Sequence, residues 1–194
     1  MPHTLARLLR GARSHPTGNG VRERNGSPSA GRSPERRSRS SLAGVEITVR
    51  TATEQDLPAL LALYRELNPD DAALSPEVAR AGWERIAAQQ GRTVLVAAEA
   101  GGAVVGTADS IVMPNLTRGG RGILFVENVV VAGAGRRRGV GRRLLDAVVD
   151  LAEEAGCYKV QLLAADDAYV HTFYESCGFE PRAQGFRRYL AREA

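Results

Sequence analysis

The hydrophobic positions of this chain change period several times after Val45, and each change marks an element. Val45 to Thr53 (VEITVRTAT) alternates apolar and polar residues, as a strand with one covered face does. Thr53 then stands as a helix N-cap, with Glu54 and Asp56 in the first turn. Leu57, Leu60, Leu61, Tyr64 and Leu67 follow at helical spacing, and Asn68-Pro69 ends that helix. Ser75-Pro76-Glu77 opens a second helix holding Val78, Trp83 and Ile86, which Gly91 stops. Thr93 to Glu99 and Val104 to Val112 read as strands joined by the turn Ala100-Gly101-Gly102-Ala103, with Pro114 to Gly122 a polar loop after them.

The next stretch changes character twice. Ile123 to Val131 is dense in Val, Ile, Leu and Phe, which suits a buried strand. Ala132 to Gly141 is rich in Gly and Arg and holds neither strand nor helix on its own propensity. Val140, Leu144, Leu145, Val148 and Leu151 then recur at helical spacing until Gly156. Lys159 to Leu163 reads as a strand, Asp166 to Cys177 as a short helix capped by Gly178, and Phe186 to Ala191 as a last strand. The predicted order is β-α-α-β-β-β-α-β-α-β. That is an α/β fold of the mixed α+β kind, a central mixed sheet flanked by helices. The strands on either side of the long helix should be parallel.

Composition adds a boundary. Residues 1–44 have no aromatic residue and no period, and hold nine arginines against Glu23 and Glu35. That gives this segment +7 and leaves −3 for residues 45–194 of the chain's +4 total. Such a segment cannot bury enough apolar surface to offset its ordering entropy, so 1–44 is expected to be a disordered basic tail and 45–194 the folded domain. A tail of this charge can touch nucleic acid, but a solvated tail or an upstream extension from a mis-called start is the favoured reading. Its Arg- and Ser-rich make-up also matches a transit peptide, but it lacks the apolar run of a secretory signal. No apolar run approaches the ~20 residues of a membrane span. Two cysteines, Cys157 and Cys177, suggest free thiols rather than a disulfide scaffold, and three scattered histidines show no metal-ligand spacing. A cytoplasmic chain without membrane contact or metal is the expectation.

A strand, a glycine-rich turn and a helix in series make an anion site. Free backbone N–H groups and the positive end of a helix converge there, and Arg136, Arg137 and Arg138 surround it. The spacing excludes two nucleotide motifs. Gly135 to Gly141 has no Lys-Ser/Thr pair for a P-loop, and neither glycine pair completes G-x-G-x-x-G. The pattern that fits is R-x-x-G-x-G, met by Arg136, Gly139 and Gly141. A second motif, Phe173-Tyr174-Glu175-Ser176-Cys177-Gly178-Phe179, lies on the last helix. With these two motifs on matching elements, Glu127 to Phe179 resembles the GCN5-related N-acetyltransferase superfamily. The run Glu127-Asn128-Val129-Val130-Val131, with Cys157-Tyr158-Lys159, is similar to its glucosamine-phosphate N-acetyltransferase branch.

The resemblance implies an acetyl-coenzyme A-dependent N-acetyltransferase. The backbone of Gly139, Val140 and Gly141 would bind the pyrophosphate, with Arg136, Arg137, Arg138 and Arg142 supplying charge. Val129, Val130 and Val131 would present main-chain groups to the pantetheine arm on a strand that bulges. Asp167 stands where many members carry an Asn that helps hold that arm, which puts this contact in doubt.

Glu127 is a carboxylate within an apolar strand; it fits a general base, directly or through water, or a salt-bridge partner. Tyr174 fits a general acid for the departing thiolate, or a core tyrosine beside Phe173 and Val170. The acceptor is expected to be a small-molecule amine lying among Tyr64, Arg65, Asn68, Trp83 and Arg118. A coenzyme A-binding regulatory module, a protein or peptide N-acetyltransferase and a homodimer are the other readings that the sequence leaves open.

Overall fold

The computed structural model describes residues 46–190. The expected tail 1–44 and the domain start at Val45 lie outside them. Strand β1 (Ile47–Thr51) leads through a 3-10 turn, Glu54–Asp56, into helix α1 (Leu57–Leu67). Helix α2 (Pro76–Ala87), strands β2 (Arg92–Glu99) and β3 (Val104–Met113) and strand β4 (Ile123–Val131) follow. Helix α3 (Val140–Glu154), strand β5 (Lys159–Leu162) and helix α4 (Ala168–Ser176) complete the described elements. The strands lie in the order β1-β2-β3-β4-β5. The first four are antiparallel and β4–β5 is parallel, the pair that α3 connects.

Each sheet face has its own core. On one, Val140, Leu144, Val148 and Ala152 of α3 pack on Leu95, Ala97, Ala108, Leu124 and Val126. Full burial of one such leucine or valine contributes about 1.5–3 kcal/mol. Gly106 in β3 lets α3 approach, since a Cβ there would stand 3.0 Å from Val140 Cγ1 and 3.2 Å from Leu144 Cδ1. On the other face, Leu60 joins Ala52, Val94 and Val96, with Tyr64, Trp83 and Ile86 packed around them. Trp83, expected near the acceptor, thus serves this core.

The helix starts follow the expected caps. Ser75 Oγ accepts from the Val78 amide at 3.3 Å. Thr53 and Asp56 form a capping box in which the Thr53 amide donates to Asp56 Oδ2 at 2.8 Å. Asp56 does more than cap. The guanidinium of Arg50 on β1 donates to both its oxygens, at 2.7 and 2.8 Å, and ties the first strand to the first helix.

The expected last strand, Phe186 to Ala191, is not formed among the described residues; Ala191 itself lies outside them. Phe186, Tyr189 and Leu190 stand 84–88% exposed. Strand propensity expresses packing and ladder bonds to a neighbour, and this segment has neither. Gly185, just before the segment, comes close to Leu163 just after β5, where a Cβ would meet Leu163 Cδ2 at 2.9 Å.

Arg50, with Thr53, holds the Asp56 carboxyl well below the usual carboxylate range. A depressed folded-state pKa means that the stabilisation is present above the unfolded value, about 3.9, and fades as pH falls toward the folded one. Asp56→Asn should therefore cost about 1–3 kcal/mol at pH 7. In urea denaturation the wild-type and variant curves should stay apart down to about pH 4 and draw together only as the pH falls further toward the folded-state value.

Candidate functional site

The site begins at an irregularity in β4. Thr107 of β3 pairs with Val130, but Asp109 pairs with Glu127, so β4 spends one more residue than β3 over the same span. Asn128 absorbs it in the left-handed region, at φ 52°. This is a β-bulge, and asparagine is among the few residues that tolerate that backbone. Pairing with β5 stops at Val126 and Leu162, so residues 127–131 have no ladder partner on that side. Glu127 and Asn128, in mid-sheet, are consequently exposed.

Beyond the parting, Gly133–Gly135 forms a 3-10 turn, and Gly139 at φ 78° caps α3 in the left-handed region. The first amides of α3, from Val140 to Arg142, have no carbonyl before them to bond, and they open at the end of the gap between β4 and β5. Gly141 has a different task from the one expected of it alone. A Cβ there would lie 2.9 Å from Phe173 Cζ, so this glycine lets α4 close onto α3.

The arginines are not equivalent. Arg138 pairs with Glu99 at 2.7 Å, Arg136 Nε donates to the Val131 carbonyl at 3.2 Å, and Arg142 donates to Ser176 Oγ at 3.2 Å. Glu66 of α1 reaches the Gly133 amide at 3.2 Å and lies 4.0 Å from Arg136. Arg137 forms neither a salt bridge nor a side-chain hydrogen bond among the described residues. It is exposed on the turn, with its backbone in the left-handed region at φ 59°. Three of the four expected phosphate arginines thus already tie the loop down, and Arg137 is the uncommitted charge.

The Tyr174 phenol feels the charge of Glu127, the other residue expected to move a proton. Its ring packs 5.2 Å from Phe173 and 5.9 Å from Phe179, centroid to centroid. Burial, with smaller contributions from Cys177 and Glu127, raises the Tyr174 phenol above its ordinary value, which keeps it protonated at neutral pH. Asp167 caps α4, Oδ1 accepting from the amides of Tyr169 and Val170 at 2.9 and 3.0 Å. Arg118 lies 5.9 Å over the Tyr158 ring. Burial raises the Cys157 thiol, so this cysteine is not an activated nucleophile.

Three further residues belong to the site. Asp109 lies opposite Glu127, Arg92 grips Asp109, and Asn128 makes the bulge. Asp109 carries the signal that singled out Glu127, a carboxylate within an apolar strand.

A five-stranded sheet that opens between its two parallel strands, with an amide-lined helix start at the opening, defines an acyl-carrier-binding transferase fold. The sequence profile of the Acetyltransferase (GNAT) family matches residues 57–179, and the chain belongs to that family. It is an enzyme, an acetyl-coenzyme A-dependent acetyltransferase. A glucosamine 6-phosphate N-acetyltransferase from Trypanosoma brucei brucei is 30% identical over 74% of this chain and 95% of its own length. A solved structure from Agrobacterium tumefaciens str. C58, provisionally described as an acetyltransferase, is 44% identical, with a TM-score of 0.71 over 74% of this chain and 99% of that one. The aminoglycoside enzyme AAC(6')-Iy, bound to a coenzyme A bisubstrate analogue, shares the fold with a TM-score of 0.61 at 21% identity, over 75% of this chain and 99% of that one. No helix among the described residues is long and apolar enough to cross a membrane. No described cluster of His, Cys, Asp and Glu could hold a metal ion.

Gly141→Ala should force Phe173, and Tyr174 with it, away from α3. A lower melting temperature and slower turnover are expected, and shortening the ring in Gly141→Ala/Phe173→Leu should recover most of both in thermal melts and rate assays.

Proposed function

We propose that the protein transfers the acetyl group of acetyl-coenzyme A to the primary amine of a small molecule, an amino-sugar phosphate such as glucosamine 6-phosphate. The observation that supports the transfer chemistry is the parting of β4 from β5 after Val126, which leaves the Glu127 carboxylate exposed beside unpaired main chain. The similarity to the trypanosomal enzyme favours the amino sugar.

In this reading the amides at the start of α3 and the Arg137 guanidinium bind the pyrophosphate, while Arg136, Arg138 and Arg142 hold the loop in shape. The unpaired main chain of Val129, Val130 and Val131 takes the pantetheine arm, and one of its amides polarises the thioester carbonyl. Asp167 orders α4 from its N-terminus and acts on the donor only through that helix. An amine acceptor arrives protonated. Glu127, exposed and without an ion pair, takes a proton from it directly or through one water. The neutral nitrogen attacks the carbonyl carbon and forms the new C–N bond. The tetrahedral species then collapses, the C–S bond breaks, the Tyr174 hydroxyl donates its proton to the sulfur, and the second proton that the nitrogen gives up in becoming an amide passes through water to the Tyr174 oxygen.

Binding without turnover is the competing reading, and it leaves Glu127 and Tyr174 without a use. The setting we assign is cytoplasmic, in keeping with two free cysteines. The assembly we assign is a homodimer. A trench of about 1190 Å³ beside the outer edge of β5, next to the bare Phe186, offers surface for a second copy.

Thiol release should follow addition of acetyl-coenzyme A and glucosamine 6-phosphate, and exceed that seen with polyamines, free amino acids or peptides. Calorimetry should show acetyl-coenzyme A binding to wild type and not to Gly139→Glu. Glu127→Gln and Tyr174→Phe should each lower kcat about 10²-fold or more while leaving donor affinity within a factor of two to three. Tight donor binding with no thiol release from any amine would overturn the enzymatic reading.

A further inference from the structure

Arg92, Asp109 and Glu127 form a row of alternating charge across β2, β3 and β4. Asp109 is the register partner of Val94, whose side chain packs with Leu60 of α1, so the row lies on the face that α1 covers. Asp109 is 4% exposed. Arg92 takes both its oxygens, Nε donating to Oδ1 at 3.0 Å and Nη2 to Oδ2 at 2.5 Å. Gln89 Oε1 accepts from Arg92 Nη1 at 3.1 Å and steadies the guanidinium. Glu127 has no ion pair and no side-chain hydrogen bond among the described residues.

Two physical facts set this arrangement apart from ordinary packing. An ion pair this buried gains the fold little over an apolar pair of the same size. Like charges directly opposite on neighbouring strands repel, and Asp109 is directly opposite Glu127. Arg92 pairs with Ile111, and Ile111 with Phe125, so Arg92 and Glu127 lie on a diagonal of about 12 Å, two strand spacings by two residues, which an extended arginine and glutamate can span. The guanidinium therefore has two carboxylates to choose between, and the buried one holds it.

We propose that Asp109 and Arg92 are positioning residues that set the charge around Glu127. Asp109 keeps the guanidinium off Glu127, and Arg92 cancels the Asp109 charge that would oppose it. The inference rests on the reading of Glu127 as the base. Two phenols on the neighbouring helices add no charge to the row at neutral pH. Tyr64 on α1 and Tyr174 on α4 are phenols that burial keeps protonated, and β5 has parted from β4 before this point. Glu127 is thus the unbalanced negative charge of the row. A cationic amine is drawn to it and meets a carboxylate that no arginine blocks.

The two single variants must act in opposite directions. In Asp109→Asn the freed guanidinium transfers to Glu127 and favours its charged form. In Arg92→Met the bare Asp109 disfavours it, so the carboxylate pair takes its first proton at higher pH. The test is a carbon-13 NMR titration of the Glu127 carboxyl in the full chain without an acceptor, assigned with Glu127→Gln. The midpoint should fall by about one pH unit in Asp109→Asn and rise by about one in Arg92→Met. It should return to within a few tenths in the double variant, and Arg92→Lys should leave it near wild type. The acid limb of kcat/KM for glucosamine 6-phosphate should move in the same order, with the KM for acetyl-coenzyme A unchanged.

Unmoved midpoints, or shifts of one sign in both single variants, overturn the proposal. If Arg92→Met fails to fold by circular dichroism, Asp109→Asn against Arg92→Lys decides it alone. Should the midpoints move as stated while Glu127→Gln keeps the wild-type rate, the charge row stands and the base assignment of Glu127 falls.

Discussion

One extra residue in β4 organises this molecule. Asn128, in the left-handed region, gives β4 three steps where β3 takes two between the Thr107–Val130 and Asp109–Glu127 pairs. A flat strand would have continued its ladder with β5 past Val126 and closed the sheet. The bulge bends β4 away, and an open gap with unsatisfied main chain on one wall results. The backbone strain of a non-glycine residue at that φ is of order 1–3 kcal/mol. It is sustained because Leu124, Val126 and Val130 on either side are buried and fix the strand before and after the bend.

The gap is useful only if its two ends are fixed, and different forces fix them. At the anion end, α3 is seated by the absence of a side chain at Gly106 and of another at Gly141. These close approaches place the α3 amides against β3 and bring α4 up beside them. At the other end, charge does the work: Arg92 and Asp109 on the neighbouring strands form a rigid, nearly neutral base beside Glu127. Packing positions the donor, and electrostatics positions the proton acceptor.

Most of the fold was legible in the chain because its signals are local. Thr53 and Ser75 cap where their side chains can reach, Gly139 and Gly178 take positive φ where a helix starts or stops, and the apolar period of α3 names its buried face. What was not legible depends on distant partners. Nothing near Arg138 announces Glu99, and nothing near Gly141 announces Phe173. The arginine run therefore read as charge shared between phosphate and solvent, although three of the four have protein partners. The same cause undid the last strand: Phe186 to Leu190 has the residues of a strand, but a strand exists only where another pairs with it. Asn128 is an intermediate case, since asparagine permits a left-handed bulge without requiring one.

The contrast between the two halves of the site follows from what each must recognise. A pyrophosphate is met by backbone amides, and the sequence needs only glycines and a helix start to supply them, so the donor site leaves a motif. In the proposed reaction an amine acceptor would be met by side chains drawn from α1, β2, β3 and β4, spread from Tyr64 to Glu127 with no fixed spacing. Their charges have meaning only in combination: Asp109 alone is a buried liability, and Arg92 alone would quench Glu127. Such a set leaves no motif, because its constraint is the sum of three charges across three strands rather than the identity of neighbours along one. The acceptor is therefore specified at the level of the sheet, where a change of register would matter as much as a change of residue.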